Sequence, residues 1–105
     1  MTLTETSFDE TLATTEGVLL VDFWAPWCGP CRAVAPVLDS LVADSAGAVK
    51  LAKVNVDEEP VLAGRHEIRS IPTILVVKDG RVVDRVVGAV PRAALEAVVR
   101  KALAA

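Results

Sequence analysis

The chain has no tyrosine, and its aromatic residues are Phe8, Phe23, Trp24 and Trp27. Aliphatic side chains must therefore fill the core, and a hydrophobic content of 52% supplies them. No apolar run approaches the ~20 residues that a bilayer-spanning helix needs. The opening "MTLTETSFDETLATTEG" lacks the basic stretch and apolar segment of a secretory signal. These absences lead to the expectation of a cytoplasmic protein that does not engage a membrane. Clustered positive charge is missing too: the eleven Lys and Arg are scattered, and the net charge is −3, which argues against a nucleic acid partner. Repeats, linkers and low-complexity segments are absent, so the 105 residues are expected to form one domain, 1–105.

Cysteine is equally scarce, and both copies fall in one short stretch, "WAPWCGPCRAVAP", Trp24 to Pro36. In an unsecreted chain such a pair points to catalysis or metal binding rather than a structural staple.

Hydrophobic periodicity organises the rest. Ser7 and Glu10 stand at capping-box spacing before a first helix expected over Phe8 to Thr14. "VLLVDFW", Val18 to Trp24, is almost continuously apolar, as a central strand covered on both faces would be. From Cys28 to about Gly47, Val34, Val37, Leu38, Leu41 and Val42 recur at helical spacing, with a kink expected at Pro36. "VKLAKVNVD", Val49 to Asp57, alternates like a strand, and a short helix should follow from Glu59 to His66 with Pro60 in its first turn. Asp79 and Gly80 between two β-branched runs predict an antiparallel hairpin. After Pro91, Leu95, Val98, Val99, Ala102 and Leu103 mark the apolar face of a closing helix. The order implies an α/β fold, a central mixed sheet with helices on both faces.

Cys28 and Cys31 at a helix start would have Cα atoms ~5–6 Å apart, within disulfide reach. A loop of about four residues gives only ~2 kcal/mol of chain-entropy stabilisation, so the bond is easily made and broken. Unpaired N–H groups and the helix dipole favour a thiolate at Cys28, while Cys31, one turn further in, keeps its proton until a base removes it. Cys28 is therefore read as nucleophile and Cys31 as resolving thiol. Gly29 allows close backbone approach and Pro30 fixes the turn. A zinc site would need four ligands, and only His66 and carboxylates remain, with no second CxxC. Haem attachment fails because Arg32, not histidine, follows Cys31. Two inert buried thiols are the remaining non-functional reading.

Asp22 interrupts an apolar strand. Buried there, its carboxyl would have a raised pKa and be poised to accept a proton near neutrality; at a strand end it would sit in water. Lys53 is a candidate partner from the neighbouring strand, or a lysine that reaches to solvent. His66 reads as a surface or helix-end residue without a role.

The segments "VDFWAPWCGPC", "APVLD", "KVNVDEEP", "IRSIPT" and "KDGRVV" occur in an order that resembles the thioredoxin family over nearly the whole chain. The resemblance implies the thioredoxin fold and a general protein-disulfide reductase. Cys28 would be the attacking and Cys31 the resolving cysteine, with Asp22 a buried carboxylate assisting Cys31. It further implies a cis-proline at Pro72 and an Ile71 backbone that pairs with an extended substrate segment. Trp27, Gly29, Pro30, Gly88 and Ala89 would form a flat apolar rim around them. No bound cofactor and no metal are implied. The redox-active disulfide would take electrons from NADPH through a thioredoxin reductase, and the protein would be a monomer acting on disulfide-containing proteins. Two departures stand out: Pro26 where an acidic residue is frequent, and His66 where an aromatic is common. The alternatives are a disulfide oxidase or isomerase of the same fold, disfavoured by Gly29-Pro30, and a non-catalytic binding or assembly module.

Overall fold

A computed structural model describes residues 1–105. Its elements are α1 (Phe8–Thr14), β1 (Val18–Trp24), α2 (Gly29–Asp44), β2 (Val49–Asn55), α3 (Pro60–Arg65), β3 (Thr73–Lys78), β4 (Arg81–Val87) and α4 (Arg92–Ala104). The strands form one four-stranded sheet in the order β2-β1-β3-β4. The β1–β2 pair is parallel, and the β1–β3 and β3–β4 pairs are antiparallel. This is the expected mixed sheet of the thioredoxin fold.

The alternation of side chains along β1 explains its continuous apolarity. Leu19, Val21 and Phe23 join Phe8 and Leu12 of α1 and Leu62 of α3 in one buried cluster. Val18 and Leu20 join Val34, Leu38 and Leu41 of α2 and Leu95, Val99 and Ala102 of α4 in another. The helices thus lie α1 and α3 on one face, α2 and α4 on the other. Asp22, in phase with Val18 and Leu20, must point to the α2 face, the face of the cysteine-bearing helix.

Several local expectations need correction. Ser7 makes no side-chain capping bond to α1; its Oγ instead accepts from the Thr4 N–H at 3.0 Å, closing a turn before the helix. The capping box with Glu10 is therefore not formed. Strand β2 ends at Asn55 rather than Asp57, because Asn55 Oδ1 accepts the Asp57 N–H at 3.0 Å and turns the chain. Helix α3 is confined to Pro60–Arg65, with Glu59 and His66 as its flanking caps. On α4, Leu103 is exposed while Leu95, Val99 and Ala102 are buried. Helix α2 carries Pro36 in its interior, as the sequence reading placed it. The hairpin turn is as expected, with positive φ at both Asp79 (49°) and Gly80 (85°).

His66 caps α3, but its ring is not a simple surface group. It lies 4.9 Å from the Phe8 ring and 5.9 Å from that of Phe23, and its Nε2 is buried without a partner. Both phenylalanines thus meet His66 in one ring cluster.

Candidate redox site

Strand β1 delivers the chain to the N-terminus of α2, where Cys28 is the N-cap residue. Its extended backbone (φ −86°, ψ 107°) frees the first helical amides, and Cys28 Sγ accepts from the Cys31 N–H at 3.1 Å. Pro30 sits in the first turn, where a missing N–H leaves no intrahelical bond unmade. Cys28 and Cys31 are joined as a disulfide with Cα atoms 5.3 Å apart. They are 4% and 3% exposed, so access does not distinguish them in the oxidised state. Position does: Cys28 is at the helix tip, receiving an amide, and Cys31 faces inward.

Inward of Cys31 lies a cavity of about 150 Å³, lined by Asp22, Trp24, Cys31, Arg32, Ala35 and Lys53. Asp22 is 1% exposed and its Oδ1 has no hydrogen-bond partner. Burial pushes its carboxyl from 3.8 up to about 6; Lys53 opposes the rise and Asp39 adds to it. Lys53 stands directly opposite Asp22 in the parallel β1–β2 register, on the same face. Of the two sequence readings of Asp22, burial in the strand is the one found. Lys53 is half-buried beside the cavity and forms no ion pair within bonding distance of Asp22.

The opposite side of the disulfide is the loop between α3 and β3. The Ile71–Pro72 bond is cis, and the Ile71 carbonyl oxygen lies 3.8 Å from Cys28 Sγ. Gly88, at φ 93°, donates its N–H to the Pro72 carbonyl at 2.8 Å, which brings the end of β4 and exposed Ala89 to the same rim. Trp27 is 67% exposed, and Gly29 and Pro30 are exposed beside it. Trp24 packs against Ala25 and the two cysteines under the loop. The residues expected at the site are thus assembled around the disulfide: Asp22 and Lys53 within, and Trp27, Gly29, Pro30, Ile71, Pro72, Gly88 and Ala89 around the rim.

Two participants were not singled out in the sequence. Asp57 accepts a hydrogen bond from Trp27 Nε1 at 2.9 Å and fixes the indole on the surface. Arg32 donates from Nη1 to the Pro26 carbonyl at 2.8 Å while lining the cavity. Both partners lie away from the cysteines in sequence or on the backbone, so no spacing rule could flag them. The signal for Asp57 was available only as part of the "KVNVDEEP" segment.

The thioredoxin family profile matches residues 1–101. Thioredoxin 1 of Nostoc sp. is 48% identical over 96% of this chain and 94% of its own length. Thioredoxin of Bacillus subtilis is 51% identical over 86% of each chain. A solved chain, from work on the thiol resolving mechanism of yeast mitochondrial 1-Cys peroxiredoxin via glutathione/thioredoxin systems, superposes with a TM-score of 0.86. It is 32% identical and covers 96% of this chain and 93% of that one. The chain therefore belongs to the thioredoxin family, and its Cys28–Cys31 disulfide is the redox centre of a thiol–disulfide oxidoreductase.

Proposed function

We propose that the protein reduces protein disulfides by a two-step exchange in which Cys28 attacks and Cys31 resolves. The observation that carries the assignment is the hydrogen bond donated by the Cys31 N–H to Cys28 Sγ at the tip of α2, a setting that stabilises a thiolate there. In the first step the Cys28 thiolate attacks one sulfur of the substrate disulfide. A mixed disulfide forms, the substrate S–S bond breaks, and the other substrate sulfur leaves as thiolate. In the second, Cys31 loses its proton toward Asp22 and attacks Cys28 Sγ, closing the internal disulfide and releasing the second substrate sulfur. Two electrons pass from the dithiol to the substrate. A carboxyl near pKa 6 at the inner cavity suits this proton transfer, being largely ionised and yet basic enough near neutral pH.

The substrate segment is read as extended, pairing with the backbone at Ile71 and resting on Trp27, Gly29, Pro30, Pro72, Gly88 and Ala89. Recognition through backbone and small apolar surface suits many disulfide proteins. The oxidised form is returned to the dithiol by a thioredoxin reductase that draws electrons from NADPH.

Cys31→Ser removes the resolving thiol, so substrates should accumulate as adducts on Cys28 that dithiothreitol releases. Mass spectrometry of the reduced variant after exposure to disulfide-bonded insulin checks this. Adducts on Cys28 support the order of attack; an unmodified Cys28 after prolonged exposure refutes it. Coupling wild type to NADPH and a thioredoxin reductase, with NADPH consumption as readout, tests the recycling step separately.

A further inference from the structure

Among the six residues around the inner cavity, Arg32 is the exposed one, while Asp22 and Cys31 are buried and Trp24, Ala35 and Lys53 half-buried. Its side chain is not free in solvent. It folds back from the first turns of α2 over the loop Ala25–Cys28 and donates from Nη1 to the Pro26 carbonyl at 2.8 Å. Pro26 carries no side-chain acceptor of its own, so the backbone oxygen is the group this residue offers. The same loop is fixed at a second point by Trp27 Nε1 on Asp57 and at a third by the Cys28 N–H on the Ala25 carbonyl at 3.1 Å.

We propose that Arg32 is a positioning residue for the exchange reaction with two separable parts: its aliphatic stem walls the Asp22–Cys31 cavity from solvent, and its guanidinium holds the loop that presents Trp27 and Cys28. The inference rests on the reading of Asp22 as the proton acceptor for Cys31. An apolar stem lying across a cavity mouth excludes water as effectively as a hydrocarbon side chain, while the charged end remains hydrated or bonded at the rim. The charges that act most on Asp22 are Lys53 across the β1–β2 register, which lowers its pKa, and Asp39 on α2, which raises it. On the β3 side Asp22 is opposite apolar Ile74. The part assigned to the Arg32 stem is steric: as the exposed member of the cavity lining, it keeps the carboxylate dry.

Three variants separate the parts. Arg32→Ala opens the wall and removes the clamp; Arg32→Met keeps a stem and removes the clamp; Arg32→Lys keeps a stem and restores a donor. Following the Asp22 carboxyl by NMR titration in the oxidised protein, Arg32→Ala should lower its midpoint by about 1 pH unit as water reaches it. Arg32→Met and Arg32→Lys should not lower it. Losing a cation without admitting water can only raise a carboxyl midpoint, so the sign separates wall from charge. In insulin reduction, KM should rise about fivefold in both Arg32→Ala and Arg32→Met, the typical effect of one lost hydrogen bond, and recover in part in Arg32→Lys. An unchanged Asp22 midpoint in Arg32→Ala, or an equal fall in Arg32→Met, would overturn the wall. An unchanged KM in Arg32→Met would overturn the clamp. Asp22→Asn, assayed alongside, tests the underlying reading. If it keeps the wild-type pH–rate profile, the proton-acceptor role fails, and the NMR titration still decides whether Arg32 shields the carboxyl.

Discussion

A buried carboxyl and a half-buried imidazole pull the stability of this protein in opposite directions. Asp22 has its pKa raised from 3.8 to about 6, so the folded state holds a proton that the unfolded chain has released. Stability from this group is complete below pH 3.8, falls as pH rises to about 6, and is flat above. The lift corresponds to about 3 kcal/mol. Asp22→Asn should therefore gain stability relative to wild type by up to about 3 kcal/mol between pH 4 and pH 7, measured by urea unfolding of the oxidised forms, while its reductase turnover falls. His66 does the reverse. Burial between phenyl rings, reinforced by Arg65 and Arg85, holds its pKa below 6.5, so the unfolded chain takes up a proton first and stability is lost as pH falls below 6.5. Replacing His66 with Phe should abolish that acid-side loss and remove the unpartnered Nε2; unchanged acid sensitivity in His66→Phe would show that the ring is not its source. From the strand pattern alone the burial of Asp22 was one of two readings, and the family resemblance implied it. Its alternation with Val18 and Leu20 becomes decisive once α2 and α4 are known to cover that face. His66 was harder to read, because nothing in its neighbours in sequence signals that Phe8 and Phe23 converge on it.

Elements followed from local chemistry where one strong signal acted alone. The turn at Asp79 and Gly80 adopts the paired positive φ angles that its residue types favour. Gly80→Ala should cost about 1 to 3 kcal/mol, since φ is 85°, a left-handed conformation that a Cβ strains. A urea midpoint within error of wild type would show that the turn relaxes freely. β1 was likewise legible in full, because a seven-residue stretch apolar at all but Asp22 has few alternatives to a doubly covered strand. Signals failed where two local partners competed. Ser7 could cap α1 or close the turn at Thr4, and the turn wins. Asn55 could continue β2 or fold its side chain onto the Asp57 amide, and the second ends the strand. The cis bond before Pro72 has no local signal at all; it was expected only from the resemblance of "IRSIPT" to a family segment.

At the scale of the molecule, the sheet brings together residues that are remote in sequence. Asp22 leaves the middle of β1, Cys31 descends from α2, Lys53 comes across from β2, and the Ile71–Pro72 segment enters from the far side of the disulfide. The disulfide itself contributes little to holding this assembly. Reduction should lower stability by only about 2 kcal/mol, the loop-closure value for so short a ring, and comparison of unfolding with and without excess dithiothreitol checks it. A much larger loss would mean that the dithiol form reorganises the fold. The fold thus serves as a rigid support on which a bond of low structural value is opened and closed. The most direct measurement is dithiothreitol-driven reduction of insulin, followed by the turbidity of the released B chain, for wild type and Cys28→Ser at equal concentration. Wild type should accelerate the reaction well above the dithiothreitol background and Cys28→Ser should match that background. Acceleration by Cys28→Ser comparable to wild type would contradict the assignment of Cys28 as the attacking thiol.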